Sequence, residues 1–226
     1  MANHLDLEEQ EQLDQLKHFW KQYGNLITWS LIVVLGAFAA WNIYQRWQLN
    51  QASQAAALFD EVERVVKAGD VSKLDRVFAD MKEKFPGTTY AQQAGLMVAK
   101  TYFEAAKLDE SKAALNWVAE KSSDAGYQAI ARLRLAGIFV ESKAYDDALK
   151  QLAGTFPAEF AALAADRKGD IYLLQGKKSE AKAEFESAYK AFDVRSDYRQ
   201  LVEFKLNSLG VNPKPETPVM ATEGKK

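Results

Sequence analysis

Residues 168–192 read KGDIYLLQGKKSEAKAEFESAYKAF. Gly169, Tyr172, Gly176, Ala181, Phe185 and Ala188 follow one another there at helical spacings, on the two sides of a glycine turn. Small residues at Gly169 and Ala181 let two helices approach closely. Aromatic residues at Tyr172 and Phe185 fill the groove between neighbouring hairpins. The stretch predicts a helical hairpin.

That order of residues resembles the tetratricopeptide pattern, and weaker copies of it lie upstream. The third hairpin carries Ala136, Phe139, Tyr145, Ala148 and Leu152; the second carries Ala99, Tyr102, Ser111, Leu115 and Val118. The first is the faintest, with Val62, Val65, Gly69, Leu74 and Phe78. Corresponding positions Leu74, Ser111, Ala148 and Ala181 are 37, 37 and 33 residues apart, near the period of ~34 residues of such repeats. Ala99, Tyr102, Ala136, Phe139, Ala148, Gly169, Tyr172, Ala181 and Phe185 are therefore expected to pack the repeats together. Breaks at 68–70, 86–87, 107–109, 121–126, 142–144, 155–157 and 175–177 divide the region into helices of about 10–17 residues. The stretch SDYRQLVEFKLNSLG reads as a final helix whose Leu201, Val202, Leu206 and Leu209 cover the end of the last hairpin. Residues 211–226 hold three prolines and no apolar periodicity, and read as a disordered tail.

Upstream of the repeats the pattern changes. Residues 26–44, LITWSLIVVLGAFAAWNIY, carry no charged side chain. As a helix they reach ~28 Å, close to a bilayer's hydrocarbon thickness. Trp20, Tyr23 and Trp29 bracket one end, Trp41, Tyr44 and Trp47 the other, as a membrane interface favours. A cleaved signal peptide is the rival reading, because Ala37-Phe38-Ala39 resembles a cleavage site. The long acidic leader and the continuation of the apolar run through Ile43 favour a retained anchor. Lys17 and Lys21 precede the run, whereas only Arg46 follows closely, which predicts a cytoplasmic N-terminus and an exported C-terminal domain. Residues 1–25 form an acidic tail in which Leu13, Leu16, Trp20 and Tyr23 recur at helical spacing, fit for an amphipathic helix on membrane lipid. Asp6 and Glu9 are spaced to cap it. With no Gly or Pro in 37–68, the anchor is expected to run straight into the first repeat helix. The expected architecture is all-α: tail 1–25, a single transmembrane helix 26–44, a tetratricopeptide-like hairpin solenoid with a capping helix over 45–210, and tail 211–226.

Composition narrows the function. A net charge of −2 supplies no basic field for nucleic acid. There is no cysteine, and both histidines, His4 and His18, precede the anchor, so the large domain lacks the commonest metal ligands and the commonest general base. No P-loop, GxSxG, HExxH or dinucleotide loop is present, and neither catalysis nor a cofactor is expected. Asp166 and Asp170 lie one turn apart and read as a solvated face. The repeat pattern projects Phe59, Leu96, Phe103, Leu133, Val140 and Leu173 onto a concave partner-binding face. Such a face, apolar and acidic, suits an apolar segment better than a carboxylate.

The segments LKHFWKQYGN, QASQAAALFDEVERVV, TTYAQQAGLMVAKTYFEAAKLDESKAAL, DRKGDIYLLQGKKSEAKAEF and EFKLNSLG, with the single anchor, resemble the ancillary SecYEG translocon subunit family of bacteria. The resemblance covers most of the chain and rests on its architecture more than on any one motif. It implies an inner-membrane protein with a periplasmic domain, association with the SecYEG translocon, a partnership with the periplasmic chaperone PpiD, and transfer of exported unfolded proteins to periplasmic chaperones. The alternative is an unrelated membrane-anchored tetratricopeptide scaffold for another envelope complex.

Overall fold

A computed structural model describes residues 7–213, with side chains described from residue 11 onward. The Asp6–Glu9 cap and the tail from residue 214 lie outside what it describes. Among the described residues all regular structure is helical. The chain forms two compact units, Met1–Gln54 and Ala55–Lys226.

The first unit consists of the N-terminal part of α1 (Leu7–Ala68). This helix is long and apolar enough to cross a membrane, with a mean hydropathy of 1.9 over its most apolar window, none of which is buried. Leu26, Trp29, Leu31, Ile32, Val33, Val34, Leu35, Phe38 and Ile43 are all exposed. An apolar surface all round a helix, with no protein against it, is what a lipid environment accommodates and water does not. The polar side chains inside the run bond back to their own helix: Thr28 Oγ1 donates to the Gly24 carbonyl at 2.7 Å and Asn42 Nδ2 to the Phe38 carbonyl at 2.9 Å.

The second unit is built of hairpins. The end of α1 is followed by α2 (Val71–Lys84), then α3 (Thr89–Glu104) with α4 (Leu108–Lys121), α5 (Ala125–Glu141) with α6 (Tyr145–Leu152), α7 (Ala158–Leu174) with α8 (Lys178–Ala191), and α9 (Asp197–Ser208). From α2 onward each helix packs against the next, α9 closing on α8. Asp70, Thr88 and Asp124 cap α2, α3 and α5 with their side-chain oxygens. Every expected break falls at or beside a junction between two helices. The lengths differ in two places: α1 has 62 residues, and α6 has only 8, before the turn that carries Gly154 and Pro157.

The four hairpin turns are one motif repeated. Gly69, Ala106, Lys143 and Gly176 all have positive φ, at 67°, 57°, 59° and 75°. Each following amide closes the turn onto a carbonyl five residues back: Asp70 to Val65, Lys107 to Tyr102, Ala144 to Phe139 and Lys177 to Tyr172. This is the glycine-type helix stop, yet two of its four pivots are not glycine.

The core falls into three clusters. Val62, Leu74, Phe78, Met81, Val98, Leu115 and Leu135 belong to the first; Ala136, Ala148, Leu152 and Ile171 form the second. Phe185, Ala188, Val202 and Leu206 anchor the third, under α9.

Candidate functional site: a cleft between the second and third hairpins

The residues expected to pack the repeats lie inside. Ala99, Tyr102, Ala136, Ala148, Gly169, Ala181 and Phe185 are buried, and Phe139 and Tyr172 are half-buried. The closeness explains the small residues: a Cβ added at Gly169 would stand 2.5 Å from Phe185 Cε1. Gly95 is equally tight, with a Cβ 2.5 Å from Val118 Cγ2.

Of the projected partner-binding residues, Leu96 is buried and the other five are half-buried. Leu96 is buried in the first cluster, and Phe59 and Phe103 are half-buried against it, Phe59 with its ring 5.8 Å from that of Tyr90. Leu133 and Val140 rest on the second cluster, and Leu173 on the third. Of the six, Phe103 lines an open concavity.

That concavity is a cleft of about 350 Å³ between α3, α4 and α5. Ala99, Ser111, Leu115 and Ile138 form its buried floor; Lys100, Phe103, Arg134, Gly137 and Glu141 form its walls and rim. Ser111 is fully enclosed and its Oγ donates to the Ala99 carbonyl at 2.7 Å, so its polarity is spent inside the protein. The floor is thus apolar to anything entering. Arg134 Nη1 donates to the Leu96 carbonyl at 3.0 Å, tying α5 to α3 and holding the guanidinium at the rim. Lys100 lies within 3.6 Å of Glu104, both largely solvated, a pairing worth little. Sequence reasoning missed these two cations and judged the face apolar and acidic. The signal was present in the spacing: Arg134, Gly137, Ile138 and Glu141 stand at i, i+3, i+4 and i+7, one stripe of α5.

Two further expectations are corrected by the last hairpin. Asp166 and Asp170 are not a solvated pair. Asp166 is 2% exposed, and Lys205 Nζ donates to Asp166 Oδ1 at 2.7 Å and to Asp170 Oδ2 at 2.9 Å, while the Tyr198 hydroxyl donates to Asp166 Oδ2 at 3.2 Å. Burial works to lower the Lys205 pKa, but the hydrogen bonds and charge of the two aspartates outweigh it and the net shift is upward. Burial and the Asp166 charge raise that of Tyr198. The carboxylates thus lock α9 to α7. The cap itself buries Val202 and Leu206 with Leu209 partly covered, whereas Leu201 faces outward at 45% exposure, because the charged contacts of Lys205 and the enclosed Arg199 take part of the inner face. Among the described residues no group of three or more His, Cys, Asp or Glu is placed to hold a metal ion.

Residues 17–211 match a family described as a tetratricopeptide repeat-like domain. The chain is also similar to proteins named ancillary SecYEG translocon subunit. It is 34% identical to that of Neisseria gonorrhoeae over 92% of this chain and 100% of the relative. It is 30% identical to that of Haemophilus influenzae and 28% to that of Escherichia coli, each over 90% of this chain and 98% and 97% of the relative.

Proposed function

The chain belongs to the family of ancillary SecYEG translocon subunits, with their tetratricopeptide repeat-like domain, and on that premise we propose that it serves the Sec translocon as a membrane-anchored accessory subunit. The observation that carries this reading is the end-to-end match to the gonococcal relative, membrane segment and repeats together. In this reading α1 crosses the inner membrane once, with the N-terminus in the cytoplasm, the side that Lys17 and Lys21 favour. The repeat domain then lies in the periplasm, where exported chains emerge. Its work is protein binding in place of catalysis. It takes hold of newly exported, still unfolded segments and passes them to periplasmic chaperones, PpiD among them, and the cleft at Phe103 is its contact point.

The test is affinity purification of the full-length protein from gently solubilised membranes, with the retained proteins identified by mass spectrometry. Recovery of SecYEG and of PpiD is the expected result. Recovery of a different envelope complex without any Sec component would overturn the translocon reading and favour a scaffold for that complex.

A further inference from the structure

Gly95, Gly137 and Gly169 sit in the interiors of α3, α5 and α7, and they differ in kind. Gly95 and Gly169 have no room for a side chain. Gly137, in the interior of α5, would meet nothing within 4 Å if it carried a Cβ, and it lines the cleft. Glycine weakens a helix interior relative to alanine, and packing gives no reason for it here. Its effect is on the open side: it leaves the wall of the cleft without a side chain, so space remains between Phe103 and Ile138.

The rim adds charge. Arg134 is held by one bond to the Leu96 carbonyl and, among the described residues, has no carboxylate within 4 Å. Lys100 stands on the neighbouring helix with only the solvated Glu104 beside it. Glu141 lies two turns further along α5, ~10 Å from Arg134 along the axis. Of the three charged side chains that line the cleft, two are cations, Arg134 and Lys100, and one is an anion, Glu141. The volume, about 350 Å³, is at the small end of ligand pockets, which run from roughly 300 to 1,000 Å³. It takes a side chain or two of a segment, not a folded surface.

We propose that the cleft binds a protein segment in which a large apolar side chain stands next to a carboxylate. The apolar side chain enters over Leu115 and Ile138 in the space left by Gly137, and the carboxylate pairs with Arg134 and Lys100. The inference rests on the reading of this protein as a protein-binding subunit and adds the chemistry of what is bound. An isolated apolar segment would leave Arg134 without a counter-charge; an arginine- or lysine-bearing one would be repelled by the two cations.

The experiment uses the full-length protein in detergent micelles and a short dye-labelled peptide carrying two leucines flanked by two aspartates, with a counterpart in which lysines replace the aspartates. Fluorescence anisotropy reads the binding. The aspartate peptide is expected to bind at least about tenfold more tightly than the lysine peptide. Lys100→Glu, which alters only an exposed side chain, should narrow that ratio, and Lys100→Glu with Arg134→Glu should invert it. Gly137→Leu should abolish binding of both peptides with helicity unchanged, since the added side chain projects into open space. Equal binding of the two peptides, no binding of either, or undiminished binding by Gly137→Leu would each overturn the proposal. Retention of SecYEG in the purification described above, alongside any of those results, would leave the accessory-subunit reading intact and remove only this one.

Discussion

The fourth hairpin and the junction of the second and third hairpins use the same repeat to opposite ends. In the fourth, Phe185 fills the space that Gly169 leaves, and α9 seals the hairpin through Lys205, Asp166 and Tyr198. At the junction, Gly137 leaves space that nothing fills, and Arg134 and Lys100 stand at its rim. A repeat array has to be closed at its end and open where it works. The hairpin with the clearest repeat signature is accordingly the structural one, and the fainter copies hold the candidate site.

The largest effect expected from breaking the closed region is at Gly169. Gly169→Val forces its Cβ against the Phe185 ring, which is itself fully buried. Overpacking of this sort costs about 3 kcal/mol, read as a fall in the midpoint of chemical unfolding. A loss under about 1 kcal/mol would mean that Phe185 can swing aside, and the closure would be looser than its geometry indicates.

Next comes the lock on α9. Asp166→Ala removes the buried partner of Lys205 and Tyr198 but leaves Asp170, and Lys205 keeps some access to water. The expected loss is about 2 kcal/mol, below the usual range for an isolated buried pair. The pH dependence has a definite sign. The folded-state pKa of Lys205 is raised above 10.5, and that of Tyr198 above 10.0. Both contributions are fully present below those values and are lost as pH rises through the folded ones, because the unfolded chain releases its protons first. Stability should therefore fall above about pH 10, and less steeply in Asp166→Ala. Tyr102, raised by burial and by its bond to Asp75, leaves a residual slope from the second hairpin. An equal alkaline loss in both proteins would remove Asp166 as the source.

How much of this was legible in the sequence varied along the chain for physical reasons. Hairpin boundaries were readable because turns need backbone conformations that few residues adopt. The equivalence of the four turns was only half visible, since Ala106 and Lys143 hold a left-handed conformation that Gly69 and Gly176 adopt freely. The close approach of paired helices demands small side chains, as where Phe185 closes on Gly169. The candidate site was less so. A tetratricopeptide-like pattern marks which face of a helix meets its partner helix but says nothing of charges on the neighbouring stripe, so Lys100 and Arg134 escaped notice, and Asp166 was read as solvated. Its partner lies 39 residues away, on a helix whose inner face is partly charged. The strained pivots supply a test of their own. Lys143→Gly should raise stability by up to about 1 kcal/mol, by relieving a left-handed non-glycine residue, and Gly176→Ala should lower it; no change in either would mean that the turns are set by the helices around them.

The smallest effect bears most directly on the contrast between the two regions. Gly137→Ala adds one methyl group to a helix interior where nothing lies within 4 Å. Helix propensity alone then stabilises the protein by roughly 0.5–1 kcal/mol. The same substitution at Gly169 must destabilise it, because there the methyl meets Phe185. Opposite signs from one chemical change, measured by denaturant unfolding on the two variants, would establish that one glycine is kept for packing and the other is not. If Gly137→Ala also destabilises, the wall of the cleft is closed to added atoms, and the space beside Phe103 cannot admit a partner's side chain.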